Sequence, residues 1–103
     1  MKVILKRRNS DIFAIGEFDT STKAIIVKKG AVVSDAIHYT EKFRGSRTIE
    51  ELRERYVVDR KTTQDITFNS ASTAANFVTG GSTNGLIAWK TESGISIREA
   101  MKK

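Results

Sequence analysis

The stretch that most restricts what this chain can fold into is Asn69 to Gly80, NSASTAANFVTG. Asn69 or Ser70 can cap a helix by accepting from its first free amides, and Gly80 supplies a left-handed stop at the other end. Between them, Ala71, Ala74, Ala75 and Val78 are small enough for the helix to lie very close to a sheet or to another helix, with Phe77 as its one bulky packing residue. A fold built around this segment needs a flat, tightly apposed partner. The loop that follows, Gly81 to Gly85, ends in Asn84-Gly85, the strongest two-residue turn signal in the chain. Leu86 to Thr91 then reads as a strand and Glu92-Ser93-Gly94 as a turn. Ser96 caps a last helix, Ile97 to Lys102, with Ile97 and Met101 inward.

The first third supplies the sheet. Val3 to Leu5 is a short apolar run, Asp11 to Phe18 is rich in β-branched and aromatic residues, and Lys23 to Lys28 matches it across the polar turn Asp19 to Thr22, which together predict a β-hairpin. Gly30 breaks the pattern and Ala31 to Val33 reads as a further short strand before a polar connector, Ser34 to Gly45. Thr48 and Glu51 have the spacing of a capping box, so a helix is expected to start at Thr48. It would bury Ile49, Leu52 and Tyr56 and turn Glu50, Glu51, Arg53, Glu54 and Arg55 to solvent. Val57-Val58 predicts an extended exit, and Asp59 to Asp65 a polar loop.

The expected architecture is α+β: a single small domain over residues 1–103, with an N-terminal antiparallel β-hairpin or sheet packed with two to three short helices. At 103 residues the chain has room for one hydrophobic core. No apolar run approaches the roughly 20 residues needed to span a bilayer, and the N-terminal segment lacks a signal peptide's apolar stretch, so no membrane association and a cytoplasmic location are expected.

The same composition closes several chemistries. Without cysteine, and with His38 as the only histidine, neither a thiolate site nor a His-based zinc site can be assembled within one chain, so no metal and no cofactor are expected. The hydroxyls of Ser70, Ser72, Ser82, Thr73, Thr79 and Thr83 have no evident base, because His38 sits in the polar connector with no nucleophile elbow to serve. Glu50, Glu51 and Glu54 are interleaved with arginines and read as a solvated helix face. No catalytic residue is expected, and the chain reads as a non-enzyme.

From Phe68 to Lys90 the chain follows F-x-S-x-S-x-A-A-x-x-V-x-G and then S-x-N-G-x-x-x-W-K. This arrangement resembles the domain of unknown function 4357, a small domain often found at the C-terminus of GIY-YIG nuclease-family proteins and near restriction-modification systems. The likeness extends upstream through Ala24 to Ala31 and the helix around Leu52, and downstream to Gly94 to Ile97. Two positions depart from the family pattern: Ala71 stands where proline is usual, and Leu86 where a tryptophan often follows the Asn-Gly. A remoter similarity, to the domain associated with restriction enzymes and adenine methylases, implies a DNA-sensing role by analogy of fold. In both cases the resemblance implies an accessory module and not an enzyme.

Eighteen Lys and Arg against 12 Asp and Glu give a net charge of +6, which favours polyanions through long-range attraction and counterion release. The candidate nucleic-acid-binding residues are Lys6, Arg7, Arg8, Lys28, Lys29, Ser82, Thr83, Asn84, Trp89 and Lys90. Lys6 to Arg8 and Lys28-Lys29 would form one positive sheet edge if the hairpin gathers them, and lysines there also discourage strand-to-strand aggregation. The amides of the Gly80 to Gly85 loop could cradle a phosphate, or the loop could be only a helix stop and a turn. Trp89 beside Lys90 could stack on a base, or could be core surrounded by Phe13, Phe18, Phe68 and Phe77. Two partner classes remain open: DNA or RNA, held by its phosphate backbone, and a nuclease or methyltransferase protein on which the domain docks. Self-association through an uncovered sheet edge is a variant of the second, and the sequence leaves the oligomeric state undetermined.

Overall fold

A computed structural model describes residues 1–8, 10–35 and 46–102. His38, Tyr39, Arg44 and Lys103 fall outside the described residues, as does most of the polar connector.

Period-two alternation writes the sheet. In β1 (Lys2–Lys6), β2 (Phe13–Phe18), β3 (Ile25–Val27) and β6 (Ile66–Phe68), the residues Val3, Leu5, Ala14, Phe18, Ile25, Val27, Ile66 and Phe68 are buried on one face. The strands join in the order β1-β2-β3-β6, every neighbouring pair antiparallel. The predicted hairpin is present, closed by Asp19, whose Oδ1 accepts from the amides of Ser21 at 2.8 Å and Thr22 at 3.2 Å. These backbone bonds hold the Asp19 carboxyl below its ordinary value. A group of this kind contributes stability that is present above its unfolded pKa of about 3.9 and is lost as pH falls through the lower folded value. The turn is therefore expected to loosen only in strong acid, and Asp19→Asn should flatten the decline of melting temperature between pH 4 and pH 2. An unchanged decline would remove Asp19 from the acid response.

The helices cover the buried face. α2 (Ala71–Thr79) is capped by Ser70, whose hydroxyl accepts from Thr73 N, and stops at Gly80 in the left-handed region with φ 79°. It lies on β2, β3 and β6, and its Phe77 meets Phe68 with ring centroids 5.2 Å apart. α4 (Ile97–Met101) starts from Ser96 as expected and buries Ile97.

Several expectations need correction. Leu86 to Thr91 is not a strand. Asn84 caps a short helix, α3 (Gly85–Ala88), by accepting from Leu86 N, so Asn84-Gly85 opens a helix where a hairpin turn was expected. A Cβ on Gly85 would overlap the Ala71 carbonyl and the Ser72 amide, and the dipeptide is thus fixed by close helix approach.

The helix α1 (Ser46–Tyr56) starts two residues before Thr48, which lies inside its first turn and not at its cap. The polar loop after α1 contains a tight hairpin: β4 (Val57–Val58) pairs with β5 (Lys61–Thr62) through Asp59 and Arg60, both at positive φ, the conformation a two-residue primed turn requires. Ala31 to Val33 makes only isolated bridges, Val32 pairing with Phe13 and with Lys61.

Arg53, expected in solvent, is half-buried. Its guanidinium donates to Phe77 O at 2.7 Å, Ser34 O at 2.9 Å and Ser34 Oγ at 2.9 Å, with Val78 O at 3.3 Å. These carbonyls include the last ones of α2, where a helix end carries partial negative charge. Burial first, and Arg60 second, bring the Arg53 pKa down to about 10, still charged at neutral pH. Arg53→Ala would strip donors from buried carbonyls and should cost about 2–4 kcal/mol in denaturant unfolding. Arg53→Lys should recover only part of that, because an ammonium cannot reproduce the fork. A loss below about 0.5 kcal/mol for Arg53→Ala, the range of ordinary surface substitutions, would contradict this role.

Candidate nucleic-acid interface

β1 is bordered on its free side by a single residue. Ile4 N donates to Lys90 O at 2.7 Å and Lys90 N returns to Ile4 O at 2.9 Å. Trp89, the residue before, is fully buried and donates from its indole nitrogen to Ala71 O at 3.1 Å. Its six-membered ring has room because Gly16 carries no side chain: a Cβ there would lie 3.2 Å from Trp89 Cζ3. With Trp89 committed to the core, Lys90 is left exposed beside the middle of β1, paired with Ile4.

Strand parity brings Lys6 to the same region. Val3 and Leu5 point to the core, so Ile4 and Lys6 point to the opposite face of the sheet. The chain then leaves the strand through Arg7 and Arg8, both exposed, and the Arg7 guanidinium approaches Thr83 Oγ1 at 3.4 Å. The result is an open groove of about 600 Å³ lined by Lys6, Arg7, Arg8 and Lys90, floored by Ile4, Phe13 and Ala88, and completed by Thr91, Glu92 and Gly94. Among the described residues Glu92 is the only carboxylate in that lining, and Lys2 holds it at 2.9 Å. Four cations against one already partnered anion leave the groove strongly positive.

The other sequence candidates separate from this group. Lys28 shares the end and the face of the sheet with Lys6, but β2 stands between them and leaves a gap of about 10 Å between their strands. Lys28 Nζ lies 3.7 Å from Asp65 Oδ2, and Lys29 N donates to Asp65 Oδ1 at 2.8 Å. The continuous positive edge expected from both clusters is therefore interrupted.

Trp89 is removed as a stacking residue by its burial. Ser82 is exposed and lies outside the groove lining, while Asn84 spends its side-chain oxygen on the α3 cap. Three amides of the loop are already engaged within the fold, which weighs against the phosphate-cradle reading. The amides of Gly81, Thr83 and Gly85 donate to Thr79 Oγ1, Asn76 Oδ1 and Ser72 Oγ, so they are not turned outward as a nest. Thr83 also lies outside the lining and touches the group only by accepting from Arg7 through its hydroxyl.

Phe13 was expected beside Trp89 in the core and is instead 40% exposed. Its position in β2 has the parity of Ile15 and Glu17, opposite to buried Ala14 and Phe18. The alternation of FAIGEF already carries that signal. Among the described residues no group of three His, Cys, Asp or Glu side chains could hold a metal ion, and no helix is long and apolar enough to cross a membrane.

Comparison with family models places residues 5–101 on the model described as Domain of unknown function (DUF4357). Searches of curated proteins and of solved structures give no match. The matched segment covers the sheet from the end of β1, the groove residues Lys6 to Arg8 and Lys90, and the four helices of the described residues. This chain belongs to the DUF4357 family.

Proposed function

We propose that the domain is a noncatalytic module that holds a nucleic-acid phosphate backbone in the groove between the end of β1 and the segment around Lys90. The observation that carries this reading is the convergence of Lys6, Arg7, Arg8 and Lys90 on one concavity in which Glu92, the one carboxylate among its described residues, is already paired. Long basic side chains around a groove neutralise successive phosphates and release condensed counterions, which gives affinity without sequence readout. The net charge of +6 adds attraction at longer range. Joined to or docked on a nuclease or methyltransferase, such a module would raise local concentration on the shared substrate.

Fluorescence anisotropy of a labelled oligonucleotide against ionic strength tests the reading. Four neutralised phosphates give a slope of log K against log salt near about −3 for a single strand. No binding at micromolar protein in low salt would overturn it. Specific capture of a protein partner that persists in high salt, without nucleic-acid binding, would favour the docking role instead.

A further inference from the structure

The groove's floor carries an aromatic face that phosphate binding does not need. Phe13 exchanges both of its backbone hydrogen bonds with Val32, donating to Val32 O at 3.1 Å and accepting from Val32 N at 2.7 Å. Its pairing with Lys6 on the other side is therefore of the non-hydrogen-bonded kind, in which facing side chains stand closest. The ring is held on a strand fixed along both edges, beside a lysine, 40% exposed and at the bottom of a cationic groove. With Ile4 and Ala88 in the same lining, the exposed ring offers a flat apolar face within a cationic wall, a surface suited to a planar ligand.

We propose that Phe13 is a base-stacking platform and that the groove takes single-stranded nucleic acid in preference to duplex, with Lys6, Arg7, Arg8 and Lys90 tracking the phosphates of the same strand. This rests on the backbone-binding reading above and narrows its ligand. A duplex presents phosphates to the four cations equally well, but its base faces are already stacked on one another and cannot meet the ring. A single strand can splay a base onto Phe13 while its flanking phosphates stay within reach of the walls. Stacking of this kind tolerates any base, since each has a π-face, so little sequence preference is expected.

The test compares three labelled ligands of equal phosphate count, a single-stranded oligothymidylate, its abasic counterpart and a short duplex, against the full chain and its Phe13→Leu and Phe13→Tyr variants. Thermal melting confirms that each variant folds. For the unaltered protein, the oligothymidylate should bind about tenfold tighter than either other ligand. Phe13→Leu should reduce that affinity to the abasic level while changing duplex binding less than twofold and leaving the salt slope as it was. Phe13→Tyr, which keeps an aromatic face, should retain the preference.

Equal affinity for the three ligands, or an unchanged single-strand affinity in Phe13→Leu, would overturn the stacking role and leave backbone binding intact. Binding to none of them would remove both.

Discussion

Gly85→Ala is expected to unfold the domain or leave it barely stable, although it adds one methyl group to a helix, where alanine ordinarily stabilises. The Cβ at this position would overlap the backbone of Ala71 and Ser72, and backbone cannot rotate away as a side chain can. α3 would have to move off α2. That movement would break Gly85 N to Ser72 Oγ at 3.0 Å and pull on Trp89, whose amide donates to Gly85 O and whose indole is tied to Ala71 O. Overpacking a well-filled interior costs about 1–3 kcal/mol and sometimes more. With backbone as the obstacle and a buried tryptophan linked to it, about 3 kcal/mol or more is expected in denaturant unfolding. A Gly85→Ala protein as stable as the parent would mean that α2 and α3 are not apposed in this way.

The second large effect concerns binding. Replacing Lys6, Arg7, Arg8 and Lys90 together by glutamine should abolish salt-dependent association, lowering affinity at low salt by about a hundredfold or more and bringing the slope of log K against log salt close to zero. Stability should barely change, since all four side chains are exposed. Changing Lys28 and Lys29 to glutamine instead removes two charges where the groove variant removes four, at a place where Asp65 already pairs with the Lys28 ammonium. That control should weaken binding by no more than a few-fold, as loss of long-range attraction alone would do. Equal losses per charge removed in the two variants would show that only the total charge matters and that the groove has no special part.

The sequence exposes these residues unevenly, for reasons that are physical. Ser70, Gly80 and Ser96 declare themselves because capping is local: a hydroxyl before a helical run and a glycine after it need nothing from the rest of the chain. The β2–β3 hairpin is legible for the same reason, in alternation and in the Asp19 turn. Gly85 is misread because its glycine answers a tertiary demand, the approach of Ala71, while Asn-Gly locally signals a turn. Arg53 looks solvated among glutamates, and only the arrival of the α2 C-terminus and Ser34 turns it inward. The β4–β5 turn hides behind Asp59 and Arg60, two non-glycine residues in the left-handed region. Arg60 is held there by Asp11 at 2.7 Å, Asp35 at 2.8 Å and Val33 O.

The candidate site divides in the same way. Lys6, Arg7, Arg8 and Lys90 can be picked out as cations, but 83 positions separate Arg7 from Lys90, and only the pairing of Lys90 with Ile4 makes them one group. Phe13 is the reverse case, a residue whose strand parity already pointed outward.

Amide chemical-shift mapping with an unlabelled oligonucleotide locates the binding surface most directly. Titration into the isotope-labelled chain should displace resonances of Lys6 to Arg8, Phe13, Thr83 and Lys90 to Gly94, progressively and reversibly with added salt. Lys28, Lys29 and the Ser82 amide should move little. Shifts concentrated on the Lys28-Lys29 end, scattered evenly over the basic residues, or absent at saturating ligand would contradict the assignment of the groove.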